Sequence, residues 1–327
     1  MVEAGYSEPA PRSYTVTERT SLFSMRYNNT YEGYEVYQYD GKAMPKKLVV
    51  PKTYNNKPVV SVGNKFISNE RGVREVVLPE TIRHIGSNAF ADCSGLEKIN
   101  IPDAVESVDR FAFTGCSKLS DVTANGRVTY RNNAFILDNT VLLSVPCASQ
   151  YSVPAGIKEI AEYAFSYNSE LGSVTLAPTV TSIGAGAFYN CPSLSELVVQ
   201  GNNLTSIGAY AFASSAVTEV YFPKSLTDIS DYAAEGVTAL TVYGYKGSAA
   251  ETFAASKDNV TFSELSDMLT GDVDGDGKLT VQDVTTLQRF LAEMQTLSVP
   301  AHVMSDVNSD GVINIRDVTA LQRAVAS

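Results

Sequence analysis

Histidine is scarce in this chain, and the two residues present, His84 and His302, stand in no catalytic pattern. His84 lies beside apolar Ile85, and His302 lies in a connector between two acidic loops. No Ser-His-Asp set, zinc cluster or phosphate loop is apparent, so the sequence reads as non-enzymatic. Long apolar runs are missing as well. No stretch reaches the roughly eighteen apolar residues of a membrane helix, which predicts no membrane insertion. The first thirty residues lack the apolar centre of a signal peptide, so the protein is either cytosolic or begins here at a mature start. Basic charge is in deficit. A net charge of −11 argues against nucleic acid or an anionic membrane as partner, because both need a basic face. The four cysteines form no disulfide framework. Cys93, Cys116 and Cys191 occupy one site in successive repeats and read as small buried side chains, while Cys147 falls outside that register.

What the chain does have is repetition. Phe66, Phe90, Phe113, Phe165, Phe188 and Phe212 recur about 23 residues apart, with one double gap after Phe113. In the unit from Thr81 to Asp103, Ile99 and Ile101 alternate as a strand that Pro102 ends. Ile82, Ile85 and Gly86 form an extended or turning segment, and Asn88 to Cys93 a short helical turn with Phe90 pointing inward. One unit cannot bury its apolar face alone, so the array is expected to stack as a solenoid with a parallel sheet along one side. Each buried Phe should contribute roughly 1.5–3 kcal/mol. The outward positions of these strands, Val77, Asn100, Thr123, Thr175, Val198 and Tyr221, would line a concave face where a protein or polysaccharide could bind. One step earlier stand Glu75, Lys98, Asp121, Ser173, Glu196 and Glu219. Neither column is an aromatic ladder, and a merely solvated face explains them equally well.

The array resembles the BspA-like class of leucine-rich repeats over about residues 48–265, on the pattern L-x-x-[VI]-x-[IL]-P…[IV]-x-x-I-G…A-F-x-x-[CN]. The resemblance implies an α/β leucine-rich repeat solenoid. It also accommodates the double gap, since Arg131 to Asp138 and Leu142 to Pro154 look like a hairpin-type insert. Gly247 to Ala254 reads as an amphipathic cap. Residues 1–47 differ in texture. Tyr31 to Tyr39 with Lys47 to Pro51 reads as a capping strand pair, and Met1 to about Arg12 as disordered.

After a short linker at 266–270, the texture changes again over 271–327. Asp272, Asp274 and Asp276 place oxygens at alternate positions, Gly277 allows a sharp turn, Lys278 offers its carbonyl, Thr280 its hydroxyl, and Asp283 closes at the twelfth slot. Asp306, Asn308, Asp310, the Val312 carbonyl, Asn314 and Asp317 repeat the set around Gly311. Hard divalent cations want several such oxygens, and calcium tolerates the irregular geometry of a loop, so two Ca2+ are expected. A helical pattern follows each loop with nearly the same letters: Val284, Leu287, Gln288 and Arg289, then Val318, Leu321, Gln322 and Arg323. An EF-hand would have a helix entering each loop and usually Glu at slot twelve. Here slot twelve is Asp and the helix only follows.

This loop-then-helix duplication resembles the type I dockerin, a small all-α module. The resemblance implies a cohesin of a scaffoldin as partner, calcium as a structural requirement, and an extracellular, cellulosome-associated setting for polysaccharide degradation. The residues corresponding to the family's recognition positions are Val281, Gln282, Ile315 and Arg316, with Gln288, Arg289, Gln322 and Arg323 on the helices. Val284, Leu287, Val318 and Leu321 are shared between contact and helix packing. Near-symmetry of the two copies allows binding in two orientations related by a half-turn. On this reading a chelator melts the tail and leaves the array folded.

Overall fold

The computed structural model describes residues 22–265 and 269–326, with the backbone of Tyr14–Arg19. The expected disordered start and most of the linker lie outside the described residues. The chain divides into two compact units, one of residues 1–139 and 143–147, the other of residues 140–142 and 148–327. The second unit holds both the later repeats and the two-loop tail.

In the first unit, each repeat donates one short strand to each of two sheets. Lys47–Val49, Glu75–Val77, Lys98–Ile101 and Asp121–Ala124 run parallel, with Val76 beside Ile99 and Ile99 beside Val122. Across the core, Lys57–Val62, His84–Ile85 and Ser107–Val108 form a second parallel ladder. Strand alternation explains the first sheet: Ile99 and Ile101 are buried while Lys98 is exposed. Between the sheets, the segment around Phe90 forms tight turns rather than the expected helical turn. Asn88 and Asp92 take left-handed backbone there, with φ of 57° and 58°. Asn and Asp tolerate that region better than most residues, and the chain can reverse there without a helix.

The open end of the unit is capped by an antiparallel sheet. Phe23–Asn28 pairs with Gly33–Tyr39, which then pairs parallel with Lys57–Val62. The expected pairing of the tyrosine-rich strand with Lys47 to Pro51 is therefore corrected. Lys47–Val49 instead starts the other sheet, its Leu48 buried beside Val76. The hairpin insert is present as Val128–Arg131 against Ala134–Leu137. It returns a phenylalanine, Phe135, to the stack below Phe113.

The second unit repeats the scheme. Gln150–Ser152, Ser173–Leu176 and Glu196–Val199 form one parallel sheet, and Glu159–Ile160, Ser182–Ile183, Ser206–Ile207 and Asp228–Ile229 face it. Phe165, Phe188, Phe212 and Phe222 stack with centroids 5.0, 6.2 and 6.3 Å apart. Helix α1 (Ala249–Ala255), started by the Ser248 side chain accepting from the Glu251 amide, places Phe253 against Phe222 and closes this core as the expected cap. The tail adds α2 (Val281–Leu291), α3 (Val299–Met304) and α4 (Ile315–Val325). Among the described residues, no helix is long and apolar enough to cross a membrane.

Cys93, Cys116 and Cys191 are buried, and each thiol donates to a main-chain carbonyl of the preceding rung, those of Ile67, Phe90 and Phe165. None of the four cysteines is in a disulfide.

Candidate functional site: paired acidic loops and a docking face

Local chemistry builds both loops in the same way. Gly277 and Gly311 take φ of 82° and 83°, conformations that a side chain would strain. These turns aim main-chain amides inward. In the first loop the Asp272 carboxylate accepts from the Gly275 and Gly277 amides, both at 2.8 Å. In the second, Asp306 accepts from Asp310 at 3.0 Å and Gly311 at 2.8 Å. The carboxylate oxygens of Asp272, Asp274 and Asp276 all lie within 4.8 Å of one another, as do those of Asp306, Asp310 and Asp317.

Such convergence is costly without a cation. Burial, then Asp283, Asp276 and Asp272 nearby, push the Asp274 carboxyl above the usual carboxylate range. Burial, then Asp317 and Asp310, do the same to Asp306. A divalent ion would relieve this repulsion, and all-oxygen donors suit calcium. The residues present therefore fit the ion, with Asp272, Asp274, Asp276 and Lys278 O in the first loop and Asp306, Asn308, Asp310 and Val312 O in the second.

The slot-twelve and slot-nine residues also have a role that the ligand pattern did not indicate. Asp283 is fully buried and accepts from the Val273, Asp274 and Thr280 amides at 2.8, 3.1 and 2.7 Å. Asp317 does the same for Asn308 and Asn314 at 3.2 and 2.9 Å. Each thus ties the start of its loop to the start of its helix. Thr280 and Asn314 are the N-caps of α2 and α4, and with Asp283 and Asp317 they complete capping boxes. The signal was in the sequence: Thr-x-x-Asp and Asn-x-x-Asp ahead of an apolar helical pattern. In this geometry the Thr280 and Asn314 side chains serve the helices, and Asn314 also donates to the Val312 carbonyl at 2.8 Å.

The residues expected to dock divide into two classes. Val281 and Ile315, the first residues of α2 and α4, are 69% and 66% exposed. Gln282, Gln288, Arg289, Arg316, Gln322 and Arg323 are exposed beside them. Val284, Leu287, Val318 and Leu321 are not available for contact. They are buried with Val273 in the core of the tail, because only that stripe can join α2 to α4.

Two of the proposed concave-face positions are also corrected. Asn100 is spent on the backbone of the preceding rung, accepting from the Leu78 amide at 2.8 Å and donating to the Leu78 carbonyl at 2.7 Å. Tyr221 is buried, its hydroxyl donating to Asn202 at 3.0 Å. Thr123 is exposed, and Val77, Thr175 and Val198 are half-buried. In the first unit the neighbouring column alternates in sign: Lys47 pairs with Glu75 at 2.9 Å and Lys98 with Asp121 at 2.6 Å, so these charges answer one another between rungs.

The structure also brings together a grouping that the sequence did not reveal. His84 Nδ1 lies 2.8 Å from Ser107 Oγ and its Nε2 3.4 Å from Asp109, because Ser107 and His84 are partners on adjacent strands. The imidazole is 1% exposed and stacked under Tyr31. The ring is buried and roofed over, while its partners Ser107 and Asp109 are only half-buried. His302 is also withdrawn, its pKa pushed down to about 4 by burial.

Comparison with known proteins follows the same division. The model of the BspA type leucine-rich repeat region matches residues 49–150 and 147–250 in six copies. The model of the dockerin type I domain matches residues 270–326. Among curated proteins, no sequence match is found. Solved structures similar to this chain include a leucine-rich repeat protein from Bacteroides ovatus, 22% identical, covering 76% of this chain and 67% of that one with a TM-score of 0.45. Another is a leucine-rich repeat protein of T. pallidum, 26% identical, covering 60% and 88% with a TM-score of 0.41. A third is a leucine-rich cell surface protein from Faecalibacterium prausnitzii, 18% identical, covering 73% and 97% with a TM-score of 0.36. With its stacked rungs, phenylalanine ladders and six matched repeats, the chain belongs to the BspA-type leucine-rich repeat family, and it carries a type I dockerin domain at 270–326.

Proposed function

We propose that this protein is a non-catalytic, extracellular subunit of a cellulosome. A dockerin is a cohesin-binding module, and in this chain it holds two calcium ions, one in each loop. The array supplies recognition of a protein or cell-wall polymer, or spacing. The observation that carries the docking reading is the pair Val281 and Ile315. Two equivalent apolar side chains stand exposed at the starts of two helices whose caps are locked by Asp283 and Asp317. They hold the same place in the two copies, so a partner surface that covers one could cover the other. Calcium is structural on this reading, holding those helix starts apart at a set distance. The non-catalytic reading rests on the repeat and dockerin character of the chain and on His84, whose imidazole is 1% exposed beneath Tyr31.

The test is a pull-down of the full chain against a panel of cohesins with calcium and with chelator, alongside turnover assays on plant polysaccharides and proteins. Calcium-dependent capture without turnover supports the proposal. Clear turnover that survives purification makes the chain a hydrolase and overturns it. If the array also grips a wall polymer or a host surface, the chain is a displayed adhesin.

A further inference from the structure

The two loops are near-copies in sequence, but they stand in different surroundings. Gly311, at the turn of the second loop, is buried, whereas its counterpart Gly277 is exposed. A Cβ built on Gly311 would lie 3.0 Å from Pro178 Cβ and 3.1 Å from Gly201 Cα. A Cβ built on Gly277 would meet nothing within 4 Å. Gly201 is equally tight from the other side: its own Cβ would lie 2.9 Å from Pro178. Both glycines sit at positive φ, 70° and 83°, so two backbones approach here where side chains could not stand between them. Beside this contact α3 packs on the strand Glu219–Tyr221. Asp306, Ser309 and Met304 line a cleft there with Asn202, Tyr221 and Tyr245 of the repeats. Tyr221, 5% exposed, lies in this cleft.

We propose that the second calcium loop is a docking element for the chain's own repeats. When occupied, it seats the dockerin on Pro178, Gly201 and Tyr221 as a fixed extension of the later repeats. The first loop stays outside the contact and so do the exposed residues Val281 and Ile315. The inference rests on the reading that these loops take calcium. Its physical basis is that the shape of the loop depends on the ion. Asp306, Asp310 and Asp317 crowd within 4.8 Å, and the Asp310 and Gly311 amides are positioned by Asp306. Without the cation, repulsion between the carboxylates opens the loop and withdraws Gly311 from the repeats. The two ions are therefore inequivalent. Docking adds its free energy to binding at the second site alone, and by reciprocity that ion steadies the repeat surface it touches.

Hydrogen exchange by mass spectrometry on the full chain tests this, following residues 199–203 and 219–221 of the repeats, with 173–176 as an internal control. Asp310→Ala and Asp276→Ala remove equivalent ligands from the second and first loops, and Pro178→Glu disrupts the seat without touching a ligand. Asp310→Ala and Pro178→Glu should each speed exchange at 199–203 and 219–221 by about tenfold or more, leaving 173–176 protected. Asp276→Ala should leave all three repeat segments unchanged. The proposal is overturned if Asp276→Ala acts on those segments as strongly as Asp310→Ala, or if none of the three variants alters them. Titration calorimetry separates this outcome from failure of the calcium reading. Wild type that takes up no calcium ends both, whereas calcium uptake with unaltered exchange ends only the docking.

Discussion

Phe113 and Phe135 stack with their ring centroids 4.1 Å apart and their planes 16° from parallel. Both are fully buried. Phe135 lies on a hairpin that interrupts the repeat, yet it supplies the ring that the next regular rung would have supplied. Replacing Phe135 by Ala should therefore cost as much as replacing a regular member, about 3–5 kcal/mol through lost burial and a residual cavity. Equilibrium denaturation of Phe135→Ala and Phe90→Ala variants checks this. If Phe135→Ala is nearly neutral, the insert is an ornament on the stack and not one of its rungs.

Exposure separates the residues of the tail that hold it together from those left on its surface. Leu287→Ala should destabilise the dockerin by about 2–5 kcal/mol, because Leu287 is fully buried between α2 and α4. Val281→Asp and Ile315→Asp should leave the melting temperature almost unchanged, since both side chains face solvent and an acid at a helix start suits its dipole. Cohesin affinity should follow the opposite order. If the two half-turn orientations are both used, Val281→Asp and Ile315→Asp will each retain binding and the double variant will lose it. Calorimetry that finds one single change sufficient to abolish binding would establish a single orientation.

Acid should weaken the response to calcium. Asp274 and Asp306 are raised above the ordinary carboxylate range, so protons compete with the ion from a higher pH than for a free Asp. The sign for the metal-free fold is the reverse. A raised carboxyl contributes stability that is present below its unfolded pKa and is lost as pH rises through the folded value. At neutral pH the metal-free loops are thus at their least stable, and calcium restores most there. The gain in melting temperature on adding calcium should shrink steadily as pH falls from 7 toward 4.5, in scanning calorimetry at constant free calcium. A gain independent of pH would show that these carboxylates do not bind the ion.

Thiol chemistry reads out the packing of the rungs. Burial raises Cys93 and Cys191 to about 12 and Cys116 well above its ordinary value, and each thiol is held on a carbonyl. Cys147 is only partly buried. A thiol reagent at pH 8 should label Cys147 in the native protein and reach the other three only on unfolding. Mass spectrometry after a brief exposure decides it, and rapid labelling of Cys116 would mean that the first unit opens far more readily than its packing indicates.

Much of this was legible from the chain because it is local or periodic. Asp272, Asp274 and Asp276 are alternate residues of one loop, and loop geometry keeps them neighbours in space. Phe90, Phe113, Phe188 and Phe212 recur at one spacing, and a stack places equal positions above one another. Phe135 is not legible as a rung, because a hairpin breaks the spacing that makes its partners visible. The partner of Lys47–Val49 is not legible either, because an isolated short strand does not reveal which of two sheets it joins. Val284, Leu287, Val318 and Leu321 could be named as contact or core with equal reason until the relation between α2 and α4 was known. Tyr221 reads as one more outward residue of its strand, and the packing of α3 on that strand, with Tyr245 beside the ring, is not visible in the repeat pattern.

The sequence by itself determined the repeat array, the two acidic loops and the helices behind them, since each depends on residues close along the chain or at equal steps in a repeat. Tertiary structure alone decided which apolar side chains of the tail stay exposed, and it alone set Gly311 against Pro178 and Gly201. Those outcomes depend on surfaces far apart in sequence competing to be buried, and no local pattern records which of them wins.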